Sequence, residues 1–147
     1  MTKRSVSAAV NSEEKEVFKM FQQPDIAKLL LRVSLGVLIL FHGIHKLIHG
    51  IGSVKSMVVH AGLPEFLAYG VYFGELIAPI FIILGLYARV AATVLALNML
   101  MAIYLAYGFS LTLSKFGGLS WETPLIYLIL SLLVILLGSG KYAVNSK

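Results

Sequence analysis

Residues 29–49 read LLLRVSLGVLILFHGIHKLIH. From Leu35 to Phe41 nothing polar interrupts the run, and with its flanks the segment is too long for a strand. As a helix it reaches the about 20 residues that a hydrocarbon core of about 30 Å demands. Polar residues collect at its ends: Lys28 and Arg32 before the apolar centre, His42, His45, Lys46 and His49 after it. This segment is therefore predicted to be a first membrane span, over about Ile26–His49.

Three further apolar stretches follow. The second span, about Phe66–Leu86, carries one acid, Glu75, with Pro79 one turn later as the expected kink. The connection Gly85–Arg89 is so short that spans two and three must be antiparallel neighbours. In the third span, about Val90–Tyr107, Asn98 is the strongly polar side chain. After GFSLTLSKFGGLS (residues 108–120) a fourth span starts near Trp121, has Pro124 in its first turn and ends at Gly138. Between spans one and two, residues 50–65 read as an outer connection holding one or two amphipathic turns, with Val54, Met57 and Val58 as their apolar edge.

Upstream, residues 1–10 are short, polar and basic and read as disordered. A short interfacial helix is expected from Asn11 or Ser12 as caps, with Glu13, Glu14 and Glu16 near its start and Val17, Phe18 and Phe21 on one apolar face. Pro24 should end it and Asp25 should cap the next helix. No cleavable signal is expected, because the N-terminal stretch is polar and the first apolar run exceeds an h-region.

Composition agrees with this division. Of 147 residues 59% are hydrophobic and 13% charged, where a soluble domain carries about 25% charged residues. With no cysteine, disulfides, thiolate metal ligands, iron-sulfur clusters and thiol-relay chemistry are excluded. The net charge of +5 comes from residues scattered at the ends of apolar segments, which is not a nucleic-acid footprint. Lys3, Arg4, Lys15, Lys19, Lys28, Arg32, Arg89, Lys141 and Lys147 fall on the side shared by both termini, and Lys46, Lys55 and Lys115 on the other. That bias puts the termini in the cytoplasm. Tyr69, Tyr87, Tyr107 and Trp121 fall near the expected interfaces, as membrane aromatics do. The predicted fold is all-α, an integral membrane bundle of four transmembrane helices running up-down-up-down in the cell inner (plasma) membrane. Residues 1–24 form a tail with its interfacial helix, 25–143 the membrane domain and 144–147 a C-terminal tail.

Ionisable groups at hydrocarbon depth cost about 2.5–3.5 kcal/mol each on insertion scales, so they face the bundle interior and find partners. At about 1.5 Å rise per residue, His42, Lys46 and Glu75 all fall on the outer half, within a few turns of the midplane. His42, His45, Lys46 and His49 are spaced i, i+3, i+4 and i+7, which makes one stripe that can face Glu75. Gly36, Gly43 and Gly50 recur on helix one and Gly70, Gly74 and Ala78 on helix two, spacings that allow close helix approach. One reading is an ion pair, Glu75 with Lys46, or a hydrogen bond to His42, that only fixes packing. The other is a pocket for a headgroup, a quinone or a proton, lined by His42, His45, Lys46, Glu75, Asn98 and Glu122. A metal site at His45 and His49 lacks a clear third ligand, and haem between two helices lacks a histidine outside helix one and its loop. Asn98 reads as an interhelical hydrogen bonder, Arg32 as snorkelling to the inner headgroups, Glu122 as a first-turn acid or a rival partner for Lys46, and Met99 and Met101 as packing residues.

Several of these segments resemble the DoxX family of small bacterial membrane proteins over about Leu30–Asn145. Arg32, Gly36 and FHGIHKL, with His42, Gly43, Lys46 and Leu47, are similar to its first-helix pattern. AGLP followed by GELIAPIFIILGLYARVAA resembles its acid, glycine-leucine and arginine signature, carried by Glu75, Gly85, Leu86 and Arg89. The closing GSGKY, Gly138–Tyr142, is similar as well, although Asn145 stands where an aspartate is common. The resemblance implies a four-helix membrane bundle and an association with redox systems, since the family is named for proteins similar to subunits of a thiosulfate:quinone oxidoreductase.

Three functions compete on these residues. The first is a membrane component of a redox-linked assembly whose pocket binds quinone or lipid, without its own thiol, haem or iron-sulfur chemistry. The second is a non-catalytic scaffold or assembly factor, and the third a small oligomeric transporter or proton pathway. No cofactor is dictated by the sequence; quinone is the one the first reading names. Expected partners are membrane lipid, a second copy or a redox subunit, and no nucleic acid.

Overall fold

The computed structural model describes residues 3–145, with the side chains of all but Met20 and Phe21. Positions 1, 2, 146 and 147, and the expected place of Phe21 on an apolar face, lie outside the described residues. The chain is 77% helical, and no strand forms among the described residues. It opens with α1, Lys3–Phe21. Over residues 3–10 the expected disorder is thus replaced by helix, because no glycine or proline interrupts the chain before Pro24. Ser12 is inside that helix, its hydroxyl donating back to the Ala9 carbonyl at 2.7 Å, and is no cap.

Pro24 is the first residue of α2, Pro24–His49, where its missing N–H costs nothing. Gln23 stands at the N-cap instead of Asp25, whose Oδ1 accepts the Lys141 backbone N–H at 3.1 Å. α3, Gly52–His60, gives the outer connection its amphipathic turns. Val58 is buried there with Ile51, Ala68 and Val71 in a small cluster, with Val54, Leu63 and Leu105 against it.

The second apolar stretch is not a uniform helix. A 3-10 turn, Glu65–Tyr69, leads through α4, Gly70–Tyr72, into a π-helical turn, Phe73–Ile77, and then α5, Ala78–Leu84. Pro79 explains the wide turn: the carbonyl four residues before it, that of Glu75, has no N–H to accept from and would meet the proline ring in an α-helix. The bonding shifts by one residue, Ala78 N–H donating to Phe73 O. Gly85 (φ +71) closes α5, and α6, Ala88–Tyr107, returns antiparallel to it. A hairpin-like loop tied by Trp121, whose indole N–H donates to Ser110 O at 2.8 Å, leads to α7, Glu122–Leu137.

α6 packs on α7 and α5, and α2 on α5 and α7. Leu35, Ile39, Ile82, Leu95, Met99 and Val134 fill the shared core. Met99 packs as expected, whereas Met101 is exposed. The close approach of α2 to its neighbours rests on two glycines. A Cβ on Gly36 would stand 2.9 Å from Pro79 O, and one on Gly43 only 2.1 Å from Glu75 O. Gly74 does the same toward Asn98 on α6, whereas Gly50 and Gly70 approach nothing.

By length and composition the runs Lys3–His49, Glu65–Leu84 and Ala88–Tyr107 can each cross a membrane, and α7 is a shorter apolar helix of 16 residues. Leu30, Phe41, Leu97 and Leu136, each more than 60% exposed, show apolar side chains turned outward along these helices. Such a surface suits lipid better than water.

Candidate functional site

Glu75 occupies the middle of the π-helical turn and is 4% exposed. Wide turns of this kind re-aim a side chain that an α-helix would point elsewhere. Here the carboxylate meets Lys46 of α2: Nζ lies 2.6 Å from Oε1 and 2.5 Å from Oε2, a two-oxygen contact. Asn98 of α6 donates from Nδ2 to Oε1 at 3.2 Å. Three elements that are distant in sequence are pinned at one carboxylate. Tyr72 adds a hydroxyl to the Lys46 carbonyl at 3.4 Å.

Two cavities share this group as a wall. One, about 410 Å³, is lined by Lys46, Glu75 and Asn98 together with apolar side chains of α3 and α6, Met57, Leu97 and Leu105 among them. The other, about 350 Å³, lies toward α7 and is lined by His42, Lys46, Glu75, Met99, Pro124 and Tyr127. His42 meets Tyr127 edge to face, with ring centroids 5.9 Å apart.

The rest of the predicted stripe does not converge on Glu75. His45 and His49 stack on each other at 4.2 Å on the exposed side of α2, and His49 Nδ1 is 3.0 Å from His45 O. An α-helical stripe spans an arc wider than one partner can cover, and only Lys46 has the reach. His42 lines a cavity without a hydrogen bond to Glu75. Glu122 stays in the first turn of α7 with its carboxylate folded over Gly118, so it is not the partner of Lys46. Among the described residues no three His, Asp or Glu side chains converge as metal ligands.

Arg32 departs furthest from expectation. Instead of snorkelling it is 1% exposed, donating from Nη1 to the Ile82 and Ile83 carbonyls at 3.3 and 3.4 Å and from Nη2 to Tyr142 O. It caps the last turn of α5 and fastens the C-terminal segment to it, since those carbonyls have no helical partner. Gly85 makes room: a Cβ there would stand 2.0 Å from Arg32 Nη1. Pro79, read in the sequence as a kink, makes a π-helical turn instead, and the signal missed was a glycine at the end of α5 facing an arginine.

A helical chain with apolar outward faces and a buried ion pair joining its helices defines the class of small α-helical membrane proteins. The DoxX family model matches residues 27–108, more than half of the chain, and this chain belongs to the DoxX family. The match covers His42, Lys46, Glu75 and Asn98 and stops short of α7 and the C-terminal loop. A relative in Bacillus subtilis (strain 168), carrying the name "Putative oxidoreductase CatD", is 34% identical over 79 residues, 54% of this chain. The chain thus covers 58% of that relative's length. No solved structure gives a significant match.

Proposed function

We propose that this protein is an antiparallel four-helix bundle of the plasma membrane with both termini cytoplasmic, and that it serves a redox-linked membrane assembly by holding a quinone or similar lipid at the Lys46–Glu75 site. One observation carries the reading: the pair stands where two cavities meet, each within the about 300–1,000 Å³ of small-molecule sites. The donors fit a carbonyl-bearing ring. Lys46 Nζ and Asn98 Nδ2 can donate to a carbonyl oxygen, and the Glu75 carboxylate can accept or return a proton. Met57, Leu97 and Leu105 suit an apolar tail. A bound quinone would supply two-electron, two-proton chemistry, and Lys46, Glu75 and Asn98 are the residues that would hold its oxygens. The name of the relative is in keeping with a redox role.

The test is extraction of quinone from protein purified out of its own membrane. Wild type should retain it and Glu75→Gln should retain far less; equal retention in that variant removes the role.

The two-oxygen contact supports a second reading, a scaffold in which Lys46, Glu75 and Asn98 satisfy one another and take no guest. On that reading the double variant Lys46→Met with Glu75→Gln still folds and still pulls down the same partner subunit as wild type. Loss of the partner in a folded double variant would count against the scaffold.

A further inference from the structure

Far along the helices from the Lys46–Glu75 pair, three helix ends converge. α2 begins at Pro24, α6 begins at Ala88, and α7 stops at Leu137, from which Gly138–Lys141 crosses between them. They line an open cavity of about 400 Å³, bordered by Asp25, Lys28, Arg89, Ser139, Gly140 and Lys141, in which Arg89 and Lys141 are exposed. The side chains of Lys28, Arg89 and Lys141 have no ion-pair partner among the described residues. The one carboxylate present, Asp25, accepts the Lys141 backbone N–H. Three cations face a single acid, and the charge is unbalanced.

Ser139 lines the same space. Ser139 is 3% exposed and its Oγ has no hydrogen-bond partner. A buried hydroxyl without a partner is a cost that a native structure offsets with a ligand, ion or water. The loop is also shaped to hold the cations close. Gly138 and Gly140 both have φ +75, and a Cβ on either would lie 3.1 Å from Arg89 Nη2 or from Lys28 Cδ.

We propose that this cavity is an anion site for a phosphate group, borne either by an anionic lipid or by a free phosphate ester. The planar guanidinium of Arg89 matches two phosphate oxygens, Lys28 and Lys141 neutralise the remaining charge, and the Ser139 hydroxyl donates to an oxygen. Basic pockets between membrane helices take such headgroups. The site is separate from the Lys46–Glu75 pair and stands or falls apart from it.

The experiment is titration of delipidated full-length protein in detergent, read by native mass spectrometry, with phosphatidylglycerol, phosphatidylcholine and glycerol phosphate as probes. Wild type should bind phosphatidylglycerol more than about tenfold tighter than phosphatidylcholine, and Lys28→Gln with Lys141→Gln should lose about tenfold or more. Displacement of the lipid by glycerol phosphate identifies a free ester as sufficient; no displacement identifies the lipid headgroup as the ligand. Ser139→Ala separates binding from folding, because it should raise the melting temperature of the ligand-free protein while weakening phosphatidylglycerol. Equal binding of the two lipids, or undiminished binding in the double variant, overturns the proposal.

Discussion

The carboxylate of Glu75 is neutralised by Lys46 and by little else, so the two must be changed together to be changed safely. Glu75→Gln or Lys46→Met alone leaves one charge in a low-dielectric site and should destabilise by about 3–5 kcal/mol, read as a lowered melting temperature in detergent. The double variant should recover most of that loss. Arg32 makes a comparable case at the other end. Arg32→Met strips the cap from the Ile82, Ile83 and Tyr142 carbonyls and should cost about 1–3 kcal/mol for each carbonyl left buried without a donor. Faster proteolysis of the C-terminal segment should accompany it; a cleavage rate equal to wild type would refute that anchoring role. Lys46 and Glu75 could be named from the sequence because oil makes lone charges intolerable. Arg32 could not, because its partners are carbonyls, which every residue carries.

At the scale of elements, the long apolar helices were legible from apolar length and the joints between them were not. Gly36 and Gly43 announced a close crossing, and they make it; Gly50 and Gly70 showed the same spacing and touch nothing, since spacing does not say which face meets a neighbour. The π-helical turn depends on where the freed Glu75 carbonyl goes, and it goes against Gly43. Gly43→Ala should therefore push α2 off that turn, costing about 1–3 kcal/mol as an overpacked core does and more if the backbone cannot yield. Hydrogen exchange at residues 73–77 would report the shift. α3 is tied to the turn below it by Lys55, whose Nζ lies 2.9 Å from Glu65 Oε1 and 4.8 Å from the Tyr69 ring centroid. Tyr69 first, then Glu65, raises the Lys55 pKa above its ordinary value. A raised lysine contributes fully below its unfolded pKa, about 10.4, and loses that contribution as pH climbs through the folded value. Amide exchange in residues 52–60 should thus stay flat through neutral pH once the intrinsic rate is removed, and should rise only in strong alkali. Lys55→Met should abolish that rise.

For the whole molecule, the convergence of Asp25, Arg89 and Lys141 at one end places the start of α2 and the close of the chain together. Reporter fusions at the two termini should give the same sidedness, and opposite sidedness would break the four-crossing topology. α7 is the element on which that topology rests: with 16 residues where about 20 are usual, it could cross only with the bilayer thinned around it.

The Lys46–Glu75 pair is a wall common to two cavities. A single carboxylate and a single ammonium serve both chambers, so a guest that captures them from the α3 side takes them away from any guest on the α7 side. Occupants of the two chambers are rivals for one pair of charges, and a compound admitted to either should displace what the other holds.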